Sequence, residues 1–130
     1  MMSVDLQMLV WTAILCVLQA FPYTLALIAK VGPVRAVSYP QPGEDALPDW
    51  GRRSKRAHLN LVENIAPFAI VVLVAQALGA ANETTALGAT VFFWSRVVMA
   101  VGHTFAIPFL RSIAWFVSLA GLVMILTQIL

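Results

Sequence analysis

The 130-residue chain is 61% hydrophobic and only 11% charged, where soluble proteins carry roughly a quarter charged residues, so it belongs in a bilayer as a single-domain integral membrane protein. A formal net charge of +2 without a polybasic tail leaves no electrostatic footprint for nucleic acid. Cys16 is the one cysteine, which excludes an intrachain disulfide and any thiol-built zinc or redox centre, and no histidine pair stands at metal spacing.

The first element is the clearest. No charge interrupts the sequence from Leu6 to Ala29, and about 24 helical residues rise about 36 Å, enough to cross a hydrocarbon core of roughly 30 Å. The segment has Asp5 instead of a basic leader and is too long for a signal h-region, so it predicts a retained first helix over about 6–29. Residues 31–55 form one long polar loop, punctuated by Pro33, Pro40, Pro42, Gly43, Pro48 and Gly51. Three further spans are expected over about 57–81, 84–107 and 111–130. Their short links, Asn82-Glu83 and the turn around Pro108, imply antiparallel neighbours.

The apolar runs are continuous and do not alternate, which excludes a barrel and leaves an all-α, four-helix transmembrane bundle. Lys30, Arg35, Arg52, Arg53, Lys55 and Arg56 lie in or beside the loop, and Arg111 falls on the same side. The positive-inside rule therefore places loop 31–55 in the cytoplasm and both termini opposite. Short loops favour a bacterial inner membrane.

Chemistry concentrates on the second span. At about 100° per residue, Arg56, Asn60, Glu63, Asn64 and Pro67 share an arc of roughly 100°, while His58 points the other way. Pro67 has no N–H to give the Glu63 carbonyl and tends to kink the helix there. An ionisable group at membrane depth costs free energy unless it is partnered, so Glu63 reads first as a functional residue. A plainer reading pairs Glu63 with a neighbouring arginine to permit insertion. That leaves Asn60, Asn64 and the surplus arginines unexplained, whereas a net positive cluster suits an anionic ligand.

Arg96 lies deep in the third span and should face the bundle interior, against Glu63 or a polar ligand, with snorkelling as the alternative. His103 follows one heptad later, and a lone histidine of this kind is commonly a hydrogen-bonded packing residue. Arg111 and Ser112 open the fourth helix, with Trp115 one turn on, where an interfacial anchor is its plain role.

The run Arg56-Ala57-His58-Leu59-Asn60-Leu61-Val62-Glu63-Asn64 with Pro67-Phe68, then Ser95-Arg96-Val97-Val98, then Arg111-Ser112, resembles the MAPEG family, the membrane-associated proteins of eicosanoid and glutathione metabolism. The likeness is to its microsomal glutathione transferase and bacterial branches and spans nearly the whole chain. It implies a homotrimer of four-helix subunits with glutathione, as cosubstrate, between adjacent protomers near the cytoplasmic face. The family's ligand positions fall on Arg56, Asn60, Glu63 and Arg96, and Arg111 takes the place of the arginine near the glutathione sulfur. Lys30 and Arg53 match basic positions at the end of the first helix and before the motif. His103 stands where tyrosines are common, as a replacement hydrogen-bond donor in the glutathione site, and Trp115 is a second departure.

The ligand's chemistry agrees with that set. Glutathione has two carboxylates for guanidinium forks, an ammonium for Glu63 and amides for Asn60. A nearby cation such as Arg111 favours its thiolate, and a hydrophobic electrophile or lipid hydroperoxide arrives from the bilayer. Two other readings remain open: a non-enzymatic protein of the same fold that binds a lipid or partner in the cleft, and a small multidrug exporter. The exporter would need its carboxylate in the first helix, which is uncharged.

Overall fold

The computed structural model describes residues 1–130 and contains helices with no strand. In chain order these are α1 (Val4–Leu18), α2 (Ala20–Val31), α3 (Pro33–Val37), a 3-10 turn (Glu44–Ala46), α4 (Asp49–Ala77), α5 (Glu83–Thr104) and α6 (Leu110–Ile129). Four segments are long and apolar enough to span a membrane: Val4–Val31, Asp49–Ala77, Glu83–Thr104 and Leu110–Ile129. The architecture is the expected four-helix membrane bundle.

The first span differs from a single rod: it breaks at Gln19 between α1 and α2. Pro22 is the cause, since it has no N–H for the carbonyl of Leu18 and its ring crowds that carbonyl. The second helix starts at Asp49, directly after Pro48, instead of near residue 57. The end of the long loop is therefore helical, held by Arg52, which pairs with Asp49 and donates to the Leu47 carbonyl at 2.7 Å, and by Lys55 with Glu44 at 3.4 Å.

Two helices stop earlier than expected, each by the same device. After α4, the Gly79 N–H donates to the Gln76 carbonyl and the Ala80 N–H to Ala75, with Gly79 at φ 66°. After α5, the Ala106 N–H donates to His103 and the Ile107 N–H to Gly102, with Ala106 at φ 58°. Both are Schellman closures, in which a left-handed residue satisfies the last carbonyls. In the second closure Pro108 disfavours helical backbone at Ile107 and so stops propagation. Phe109, at φ 64°, then turns the chain into α6.

Polar contacts fix the up-down order. Gln76 Nε2 donates to Ser3 Oγ at 3.2 Å and Asn82 Nδ2 to Gln128 Oε1 at 2.7 Å, joining the ends of α1, α4, α5 and α6 away from the loop. Asn82 also caps α5 through a reciprocal capping box with Thr85. Helices α5 and α6 approach closely because Gly88 and Gly121 face each other. A Cβ on Gly88 would lie 2.5 Å from the Gly121 carbonyl oxygen, and one on Gly121 2.6 Å from that of Gly88. Small residues in contact are the usual basis of helix association where lipid removes the hydrophobic driving force. The core is completed by Leu61, Phe68, Val72 and Ala75 of α4, Ala89 and Phe92 of α5, and Ile125 of α6. Phe68 and Phe92 stack with centroids 4.0 Å apart, which locks α4 to α5 just below the polar turn.

Candidate functional site

The polar stripe of α4 sits about one to three turns on the loop side of Phe68. Because Leu61 and Phe68 occupy the face of α4 turned to the core, the stripe of Arg56, Asn60 and Glu63 emerges beside it, toward α5 and α6. There the structure forms a cleft of about 390 Å³ lined by Arg56, Leu59, Asn60, Glu63, His103 and Arg111. A second space of about 330 Å³ adjoins it, lined by Asn60, Met99, Arg111, Ser112, Trp115 and Phe116. Asn60 and Arg111 belong to both, so polar and half-apolar compartments meet at those two side chains.

Arg96 underpins the cleft from within. Its side chain is buried and its Nη2 donates to Asn60 Oδ1 at 2.5 Å, with the guanidinium carbon 5.9 Å from the Phe92 ring centroid. Its Nη1 is buried without a partner. Asn60 is held from the other side by Asn64, whose Nδ2 donates to the Asn60 carbonyl at 2.7 Å and approaches Oδ1 at 3.4 Å. Asn60 is thus oriented by two neighbours.

Glu63 does not pair with Arg96. The ion pairs of the chain, Arg52 with Asp49 and Lys55 with Glu44, lie at the loop, so Glu63, Arg56 and Arg111 are all unneutralised within the single chain. Within the single chain, no arginine masks Glu63. Glu63, Arg56 and Arg111 are exposed on the single chain, although Glu63 stands within a membrane-crossing helix. Two guanidiniums, Arg56 and Arg111, share the cleft with one carboxylate, and a third, Arg96, lies buried behind Asn60. Their joint chemistry suits a ligand with more than one carboxylate and a single ammonium.

His103 borders the same cleft, with Nε2 buried and unpartnered, leaving a ring nitrogen able to donate or accept there. Arg53 is turned away: its Nε donates to the Thr104 carbonyl at 3.1 Å and caps α5. Lys30 ends α2, exposed and outside the cleft. His58, on the far face of α4, bonds the Tyr23 hydroxyl at 2.7 Å through Nδ1 and fastens α2 to α4.

Of the residues expected at the site, Arg56, Asn60, Glu63, His103 and Arg111 converge on one cleft and Arg96 joins through Asn60. Met99 and Phe116 were not singled out from sequence. Met99 is i+3 from Arg96, so helical register alone places it on the same face. Trp115, expected as an interfacial anchor, lines the adjoining space. A family model described as MAPEG family matches residues 7–130, and no curated protein matches the chain.

Proposed function

The chain belongs to the MAPEG family, and from that premise we propose that it is a membrane-bound glutathione transferase or peroxidase of the microsomal, bacterial type. It conjugates glutathione to hydrophobic electrophiles or reduces lipid hydroperoxides. The observation that carries this reading is the convergence of Arg56, Asn60, Glu63, His103 and Arg111 on one open cleft.

Glutathione enters with its carboxylates toward Arg56 and Arg96, its ammonium toward Glu63 and its amides toward Asn60. The sulfur then lies beside Arg111, at the border with the space walled by Met99, Trp115 and Phe116. A thiol with a pKa of about 8.5 is mostly protonated at neutral pH, and a neighbouring guanidinium favours the thiolate. In conjugation, the thiolate forms a carbon–sulfur bond as the electrophile's bond to its leaving group breaks and the leaving group departs as an anion. Arg111 stabilises the sulfur before attack, and the apolar wall receives the electrophile from the bilayer.

The assembly follows from the unpartnered charges. An exposed Glu63 beside lipid is costly, and a neighbouring copy laid over the cleft would remove that cost, in keeping with the homotrimer that the family resemblance implies. Loop 31–55 faces the cytoplasm of a bacterial inner membrane, so glutathione reaches the cleft from the cytosol. Stopped-flow absorbance of the purified protein mixed with glutathione tests the reading: a thiolate band should form and decay on addition of a reactive aryl halide. Absence of both band and turnover, with lipid bound in the cleft instead, would favour a non-enzymatic binder of the same fold.

A further inference from the structure

The break in the first span creates a second cavity away from the α4, α5 and α6 cleft. Below Gln19, α1 packs on α4 and α5; above it, α2 packs on α4 and α3. The divergence opens about 230 Å³ between Gln19, Ser54 of α4, and Ala100, Val101, Thr104 and Phe105 of α5. The cavity lies toward the loop end of the bundle, since Thr104 is the last residue of α5 and Ser54 stands near the start of α4.

One of its polar groups is unsatisfied. Gln19 is 9% exposed and its Oε1 has no hydrogen-bond partner. A buried carboxamide left this way has lost its bonds to water without replacement, which destabilises the empty site. Ser54 is also buried, at 6% exposure. No charged side chain lines the cavity, while Ala100, Val101 and Phe105 make one wall apolar. Water alone would satisfy the amide but wet that wall. A head bearing several hydroxyls, which both donate and accept, on one hydrocarbon chain satisfies both.

We propose that this cavity seats the head of an uncharged, hydroxyl-bearing, single-chain amphiphile of the monoacylglycerol type, bound through Gln19, Ser54 and Thr104, with its chain along Ala100, Val101 and Phe105. The volume suits the head: it is roughly eight times the 30 Å³ share of one liquid water. The occupant braces α2 against α5 and does not touch Arg111 or Glu63, so the proposal stands apart from the glutathione reading.

The test uses the full-length protein in phosphatidylcholine nanodiscs and a diazirine-bearing monoacylglycerol, with crosslinks located by peptide mass spectrometry. Labelling is expected on the peptides around Gln19 and Ala100–Phe105, competed by unlabelled 1-oleoylglycerol. Loss of the hydrogen bond in Gln19→Leu should reduce it about fivefold, the equivalent of about 1 kcal/mol. Ala100→Trp, which fills the cavity, should abolish it. Gln19→Leu removes an unsatisfied acceptor, so its unliganded thermal stability should equal or exceed the wild type, which separates lost binding from lost fold. No labelling, labelling unchanged in Gln19→Leu, or equal labelling by diazirine phosphatidylcholine or phosphatidylglycerol would overturn the proposal.

Discussion

Arg96 Nη2 donates to Asn60 Oδ1 at 2.5 Å, so the deepest cation of α5 is held by a neutral amide on α4 and not by a carboxylate. With Nη1 also buried and unpartnered, the guanidinium keeps its positive charge unneutralised beneath the cleft. That charge acts on the cleft through Asn60, which lines both compartments and accepts one bond without cancelling it.

Asn60→Ala removes the acceptor and leaves a buried guanidinium without a side-chain partner. A hydrogen bond to a charged group contributes about 1.5–3 kcal/mol, so thermal unfolding in detergent should show a lowered transition, and calorimetric titration should show glutathione binding weakened by about tenfold or more. Asn60→Asp restores an acceptor and pairs the charge. It should recover the transition temperature yet still bind glutathione poorly, because the new carboxylate repels the ligand's own. Recovery of both would mean that Arg96 serves the fold alone.

Gly88 and Gly121 set the spacing of α5 and α6. A Cβ at either position meets the opposite backbone carbonyl at 2.5 or 2.6 Å, and backbone cannot rotate aside as a side chain can. Gly88→Ala and Gly121→Ala should each cost about 1–3 kcal/mol, the usual range for overpacking. Because the two glycines press on each other, the double variant should cost less than the sum. Equilibrium unfolding in mixed micelles, monitored by tryptophan fluorescence, measures both effects.

The four spans were legible because apolar runs of bilayer length, interrupted only by Glu63 in the second and Arg96 in the third, form helices in lipid. The polar stripe of α4 was legible because helical periodicity needs no tertiary information to align Arg56, Asn60 and Glu63. The helix ends were less so: apolar residues run on past Ala77 and Thr104, and the left-handed backbone at Gly79 and Ala106 closes those helices. The break at Gln19 had a signal in Pro22 that a count of uncharged residues passes over. Which arginine meets which partner could not be read from spacing at all. Arg53 and Arg56 are three residues apart, but the first caps Thr104 and the second lines the cleft, a choice made by how α5 ends.

Arg111 lies where the polar and half-apolar compartments meet. If it holds the thiolate, Arg111→Ala should abolish the absorbance band seen with glutathione and lower kcat for an aryl halide by about a hundredfold, the lower range for loss of a positioned electrostatic stabiliser. Binding of glutathione should change far less, because Arg56 and Arg96 remain for its carboxylates. Arg111→Lys should retain part of the band, since a point charge still favours the anion, and less of the rate, since it lacks the planar fork. A parallel loss of affinity and rate in Arg111→Ala would instead assign the residue to carboxylate binding.

Glu63 is the sole carboxylate among the cleft-lining residues, and its expected partner is the ligand's ammonium. Glu63→Gln keeps the shape and removes the charge. For wild type, S-methylglutathione with a free amine should bind about tenfold tighter than its N-acetyl derivative, a difference of about 1.4 kcal/mol, at the lower edge of what charge-assisted bonds contribute. In Glu63→Gln that preference should collapse toward unity, mainly through weaker binding of the free-amine ligand. The comparison isolates one contact, since the variant and the acetyl group each remove one side of the same pair. A preference that survives in Glu63→Gln would place the ammonium elsewhere. The exposed carboxylate would then have to be answered by a cation from a neighbouring copy, and Glu63→Gln should in that case lower the oligomer's stability even without ligand.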